Sequence, residues 1–215
     1  MTPSENTVTY SHTNSYSTLN TLSDTTENVW IALHGIGYLG RYFIKHFDGL
    51  PSDKNYIIAP QAPSKYYLNN TYTRVGASWL TKEDTQRETE NVMAYLNAVM
   101  ATENLPGNLN LIIFGFSQGV SIATRWVAQR QIKCAQLVLY AGGIPNELKA
   151  SDFDFLRKNK TKVRILVGDK DEYLNEERRK TESEKIEKLF GAKAELIVFD
   201  GGHEVRKDLI VNLVQ

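Results

Sequence analysis

Six short apolar runs, separated by longer amphipathic stretches, constrain the fold of this chain more than any other feature. They read "NVWIALHG" from Asn28, "NYIIAP" from Asn55, "LNLIIFG" from Leu109, "AQLVLYAGG" from Ala135, "KVRILVGD" from Lys162 and "AELIVFDGG" from Ala194. A strand with one wet face alternates apolar and polar residues, whereas a strand covered on both faces is continuously apolar and rich in Val and Ile. These runs are of the second kind. Between them lie helix patterns: Arg41 to Phe47, Asp84 to Met100, the stretch after Ser117, Glu176 to Phe190, and Asp208 to Val214. In the third of these, Ile122, Ala123, Trp126 and Val127 share one face. The alternation predicts the α/β class, with a mostly parallel central sheet and helices on both faces. Thr7 to Leu22 alternates weakly, with Val8 and Tyr10 on one side, and is expected to add one or two edge strands.

A chain of 215 residues can bury a large core and is expected to form one domain, 1–215, whose residues 1–27 are a polar N-terminal segment. Lys+Arg and Asp+Glu both number 25, so there is no basic surplus to drive nucleic-acid binding. Cys134 is the single cysteine, which excludes a disulfide framework and argues against a thiol-bound metal. The first thirty residues lack the basic start and apolar stretch of a secretory signal, and no run approaches the ~18 apolar residues of a membrane helix. The expectation is a cytoplasmic protein with no transmembrane segment.

In open α/β sheets, ligands bind beyond the carboxyl ends of the strands, so a site is expected among the residues after the apolar runs. The third run ends in "GFSQG", Gly115 to Gly119, a G-x-S-x-G pattern between a strand and a helix pattern. That context fits a serine exposed on a strained turn, with glycines where side chains would collide. The alternative is an ordinary glycine turn holding a small polar residue. A nucleophilic Ser117 needs a base, an orienting acid and an oxyanion site.

Of the four histidines, His12 lies in the polar N-terminal segment and His46 inside a helix pattern; both read as surface or packing residues. His203 follows the last strand in "VFDGGHEV", on a glycine-rich loop that can reach over the sheet. The acid is expected after the strand between them, where "VRILVGDKDEYL" offers Asp169, Asp171 and Glu172. Each satisfies the chain order nucleophile, acid, histidine, and spacing does not choose among them. The oxyanion donors are expected to be the backbone N–H of Gln118, next to the serine, and that of Ile36 in "HGIG" after the first strand. His34 precedes the serine, the wrong order for a base on this fold, and reads as a structural member of that loop.

With these pieces assembled, the chain resembles the acyl-protein thioesterase and carboxylesterase family of α/β-hydrolases, the phospholipase/carboxylesterase group. The resemblance rests on "HGIG", "GFSQG", the terminal "GGH" at His203 and the segment "YIIAPQAPSKYYLNNTYTRVGASWL" with its Ser78-Trp79 pair, and it spans roughly residues 28 to 213. The family's acid lies three residues after a glycine, which implies Asp171, after Gly168, rather than Asp169. This chain departs from the family pattern at Tyr38, where Asp is common, at Leu80, where Phe is usual, and at Val120, where a glycine is usual.

The resemblance implies a serine hydrolase of carboxylic esters or thioesters, acting through Ser117, Asp171 and His203 by an acyl-enzyme on a small-molecule ester or acyl substrate. No cofactor and no metal are implied, since neither a phosphate loop nor a ligand-spaced His/Cys cluster is present. Only "GGIPNELKASDFDFLRKNKT" separates the fourth and fifth runs, room for about one helix and not for a lid. The pocket is therefore expected to be open and walled by short loops: Tyr38, Leu39, the "SKYYLNN" segment, Trp79 and Ile144. Two other classes compete with this reading. An inactive hydrolase fold could serve as a binding protein, and a small peptidase of the same fold would cleave amides.

Overall fold

Successive residues of the first long strand, Val29, Trp30, Ile31, Ala32 and Leu33, are all buried, and they divide between two apolar clusters. Val29, Ile31 and Leu33 join one cluster, and Trp30 and Ala32 the other. The strand's two-residue period thus feeds two cores, one on each face of the sheet. This is why its sequence is continuously apolar.

The computed structural model describes residues 3–214. Its strands are β1 (Tyr16–Leu19), β2 (Asn28–Leu33), β3 (Asn55–Pro60), β4 (Ser64–Tyr67), β5 (Val75–Ser78), β6 (Asn110–Phe116), β7 (Gln136–Tyr140), β8 (Lys162–Gly168) and β9 (Ala194–Phe199). The α-helices are α1 (Gly40–Phe43), α2 (Thr85–Glu103), α3 (Gln118–Arg130), α4 (Asp154–Lys158), α5 (Glu176–Phe190) and α6 (Lys207–Asn212). A seven-stranded sheet has the order β1-β3-β2-β6-β7-β8-β9. Every neighbouring pair in it is parallel except β1 with β3. The six apolar runs are the six parallel strands, and the class is α/β with the α/β-hydrolase arrangement.

Helices cover both faces. The larger cluster takes Val92, Met93 and Leu96 from α2, Ile122, Trp126 and Val127 from α3, and Leu189 and Phe190 from α5. The other takes Phe43 from α1, Phe47 from the 3₁₀ turn that follows it, and Ile210 from α6. Between β7 and β8 there is a 3₁₀ turn and the five-residue α4, with no separate lid.

The N-terminal stretch supplies one strand, β1, while Val8 and Tyr10 are exposed outside any strand. Residues 1, 2 and 215 of the expected domain lie outside the described residues. β4 and β5 pair as a separate antiparallel ribbon that the sequence patterns do not announce. Among the described residues, no helix is long and apolar enough to cross a membrane.

The chain winds outward in opposite directions from β2, to β3 on one side and to β6 on the other. The carboxyl ends of β2 and β6 therefore face the crevice where ligands bind in such sheets.

Candidate active site

The elbow between β6 and α3 is built by close approach. A Cβ on Gly115 would collide with the Gly119 backbone, and one on Gly119 would collide with the Leu33 carbonyl oxygen. With both side chains absent, the turn closes against β2, and Ser117 takes φ 52°, ψ −118°. A positive φ is costly for a non-glycine residue and persists only where the surroundings impose it. Here the Ser117 N–H donates to the Tyr140 carbonyl at 2.9 Å, and the Ser117 carbonyl accepts from Val120 N–H at 3.0 Å.

His203 stands over that turn. Its Nε2 lies 2.9 Å from Ser117 Oγ, and its Nδ1 lies 2.8 Å from Asp171 Oδ2. Aromatic rings flank the imidazole: Phe116 at 5.1 Å between centroids and Tyr173 at 4.7 Å, edge-on. The Asp171 side chain is fully buried, and its second oxygen accepts from Tyr173 N–H at 2.9 Å. A hydroxyl, an imidazole and a buried carboxylate are thus joined in series. Such a series can take a proton from the hydroxyl while the carboxylate stabilises the resulting imidazolium.

The other two carboxylates of the acid loop are placed elsewhere. Asp169 Oδ1 accepts from Gly201 N–H at 3.0 Å and so ties down the loop that carries His203. Glu172 is exposed.

The "HGIG" loop reaches the elbow because Gly35 lacks a side chain: a Cβ there would sit 3.0 Å from Ser117 Cβ. Gly37 turns the chain at φ 85° and donates to the Ala77 carbonyl at 2.9 Å. Among the described residues, the N–H groups of Ile36 and Gln118 donate to no protein acceptor, which leaves both for a ligand. His34 is fully buried, and both ring nitrogens are engaged, Nδ1 with the Gly35 carbonyl at 2.8 Å and Nε2 with Ala62 N–H at 3.1 Å. Burial lowers its pKa from 6.5 to about 4, so it is a neutral strut.

Gln118 contributes its side chain as well. Its amide accepts from Trp79 N–H at 2.8 Å and donates to Ser78 Oγ at 3.0 Å and the Leu80 carbonyl at 2.8 Å, fixing the end of β5 beside the elbow. Trp79 in turn donates its indole N–H to the His34 carbonyl at 2.8 Å.

The cleft above Ser117 has a volume of about 440 Å³. Of the four residues expected to wall it, Tyr38 does, edge-on to Phe116 at 6.0 Å. Leu39, Trp79 and Ile144 do not; all three are buried in the larger cluster, where each escapes water more fully than on an open cleft wall. The "SKYYLNN" segment lies beside Gly37 through Leu68 and Tyr66 rather than on the cleft. Ile36, expected there for its N–H, also lines the cleft with its side chain, and the walls that sequence patterns did not disclose include Phe116, Ser121, Tyr173, Leu174 and Arg178. Tyr173 and Leu174 directly follow the acid loop in "GDKDEYL", the one available signal for them. Among the three departures from the family pattern, Val120 is buried against Gly142 and Leu80 packs on the larger cluster, while only Tyr38 meets the cleft. No group of His, Cys, Asp and Glu among the described residues is arranged to hold a metal ion.

The family model described as Phospholipase/Carboxylesterase matches residues 14–213. The chain belongs to that family. It is a hydrolase of the α/β-hydrolase fold, and the family's esterases and thioesterases are its structural neighbours. Acyl-protein thioesterase 2 of Zea mays superposes with a TM-score of 0.70 at 15% identity, over 94% of this chain and 98% of that one. A phospholipase/carboxylesterase of Dyadobacter fermentans gives 0.67 at 21% identity, over 96% and 98%. The Bacillus cereus carboxylesterase gives 0.63 at 16% identity, over 93% and 91%. At such identities the likeness to these structures is one of fold. No curated protein matches the chain.

Proposed function

We propose that this hydrolase cleaves carboxylic esters or thioesters of small molecules through a covalent acyl-enzyme on Ser117. The observation that carries the reading is the hydrogen-bonded series Ser117–His203–Asp171 on a strained elbow at the sheet's carboxyl end. In the first half-reaction, His203 Nε2 takes the Ser117 proton as Oγ bonds to the substrate carbonyl carbon. The Ile36 and Gln118 N–H groups receive the oxyanion, and Asp171 holds the imidazolium. The carbon–oxygen or carbon–sulfur bond to the leaving group then breaks, and His203 gives its proton to the departing alcohol or thiol. In the second half-reaction water bonds to the acyl carbon, losing its proton to His203. The acid leaves as Ser117 Oγ regains that proton. One oxyanion donor is typically worth 10²–10³ in rate, so the Ile36 backbone matters as much as a side chain.

The short β7–β8 connection, a 3₁₀ turn and α4, together with the modest cleft volume, favours short or medium acyl groups. The intact series of hydroxyl, imidazole and carboxylate favours this reading over an inactive scaffold. The test is hydrolysis of p-nitrophenyl acetate and butyrate by the wild type and by Ser117→Ala. Activity lost in a variant whose circular dichroism is unchanged is the expected result. Activity retained by Ser117→Ala, or absent from the wild type, would refute the reading.

A further inference from the structure

The rings that line the cleft also give it a direction. Tyr38 meets Phe116, Phe116 meets His203, and His203 meets Tyr173, with centroids 6.0, 5.1 and 4.7 Å apart. One end, past Phe116, is apolar, formed by Ile36 and Tyr38. The other end, past Tyr173, carries Arg178. One bond holds its guanidinium and another its main chain, both from residues that precede it. Arg178 Nη1 donates to the Tyr173 carbonyl at 3.0 Å, and the residue's own N–H donates to the capping Asn175 Oδ1 at 2.8 Å in the first turn of α5. Nη2 lies over Gly143, 3.4 Å from where a Cβ would sit. The neighbouring Gly142 packs on the Ser117 carbonyl, and both glycines line the same cleft as Ser117 and Arg178.

The charges around Arg178 leave it unpaired. Among the described residues, no carboxylate lies within ion-pair distance of it. Glu182, one turn along α5, also approaches Gly143, but its carboxylate accepts from Ile144 N–H at 3.0 Å and pairs with Lys185 at 2.9 Å. Asp171 is committed to His203. Arg179 turns away, donating to the Leu174 and Asp169 carbonyls. The cleft wall thus combines an apolar end with a guanidinium held through Nη1, whose Nη2 makes no hydrogen bond among the described residues.

We propose that Arg178 is the anion subsite of this cleft, selecting esters or thioesters that carry a carboxylate or similar anion on one half and a modest apolar group on the other. The inference rests on the acyl-enzyme reading above and narrows its substrate class. A guanidinium presents paired donors that match a carboxylate's two oxygens, and hydrogen bonds between ionised partners are about twice as strong as neutral ones. A neutral ester would fill the apolar end and leave this donor to water.

Three esters test it: p-nitrophenyl butyrate, the mono-p-nitrophenyl ester of glutaric acid, and 4-(butyryloxy)benzoate. The first is neutral, the second has its carboxylate on the acyl half, and the third has it on the leaving half. The readout is the ratio of wild-type to Arg178→Ala kcat/KM for each ester, which cancels differences in intrinsic reactivity. The expected result is a ratio about tenfold larger for one of the anionic esters than for the butyrate. Arg178→Lys should restore part of that preference, and added salt should weaken it in the wild type. The ester that responds identifies the half that carries the anion. Equal ratios for all three esters would overturn the subsite while leaving the Ser117 reading intact. Butyrate hydrolysis that survives Ser117→Ala would overturn both.

Discussion

Two loops at the carboxyl end of the sheet each carry a histidine, and they show how neighbours decide what an imidazole does. After β2, His34 is sealed from water, with one nitrogen on the Gly35 carbonyl and the other on the Ala62 N–H. Backbone partners cannot change protonation state, so the ring is confined to one neutral tautomer. After β9, His203 is partly open to the cleft and stands between a carboxylate and a hydroxyl. The hydroxyl can give up a proton, and the carboxylate can stabilise the imidazolium that results. The same side chain is a strut in one loop and the proposed proton carrier in the other.

The comparison breaks first at His203. His203→Ala should lower esterase kcat by about 10⁴-fold or more, because removing one member of such a series removes nearly all of its benefit. Circular dichroism should accompany the assay, because the buried Asp171 carboxylate loses one of its two partners in this variant. A variant that kept a tenth of wild-type activity would show that His203 is not the proton carrier.

Asp171→Asn is expected to follow, lowering kcat by about 10³–10⁴-fold by favouring the wrong imidazole tautomer. Asp169→Asn should cost far less activity, because Asp169 reaches only the Gly201 N–H. A reversal of that ranking in steady-state kinetics would move the acid to Asp169.

The smallest effect concerns His34 and stability. Its folded pKa, lowered to about 4, lies below the unfolded value of 6.5, so the folded state resists the proton. Its contribution is fully present above pH 6.5 and is lost as pH falls from 6.5 towards 4, by on the order of 3 kcal/mol across that window. Urea unfolding between about pH 7 and 4.5 should show this slope in the wild type and a shallower one in His34→Gln. Equal slopes in both proteins would place the titration elsewhere.

Legibility in the sequence followed burial. The six parallel strands were readable because both faces are covered and their patterns are unbroken, as in Trp30 to Leu33. The β4–β5 ribbon was not, because all four residues of β4 are exposed and β5 contains Gly76, whose role is to let the ribbon pack on Gly37. In the candidate site, Ser117 and His203 could be proposed from motif and chain order. The choice of Asp171 over Asp169 came from family resemblance, and their different hydrogen-bond partners support it. Pocket walls were the least legible part. Whether a loop side chain turns to the cleft or to the core depends on tertiary packing. Trp79 turned inward to donate to the His34 carbonyl, while the charged Arg178 was laid along the cleft by its cap and the Tyr173 carbonyl.

Covalent labelling tests most directly whether Ser117 is activated by its neighbours. The protein would be treated with a fluorophosphonate, its intact mass recorded, and the modified peptide mapped. One adduct is expected, on Ser117, absent in Ser117→Ala and strongly slowed in His203→Ala. No adduct on the folded wild type, or an adduct on a different residue, would contradict it.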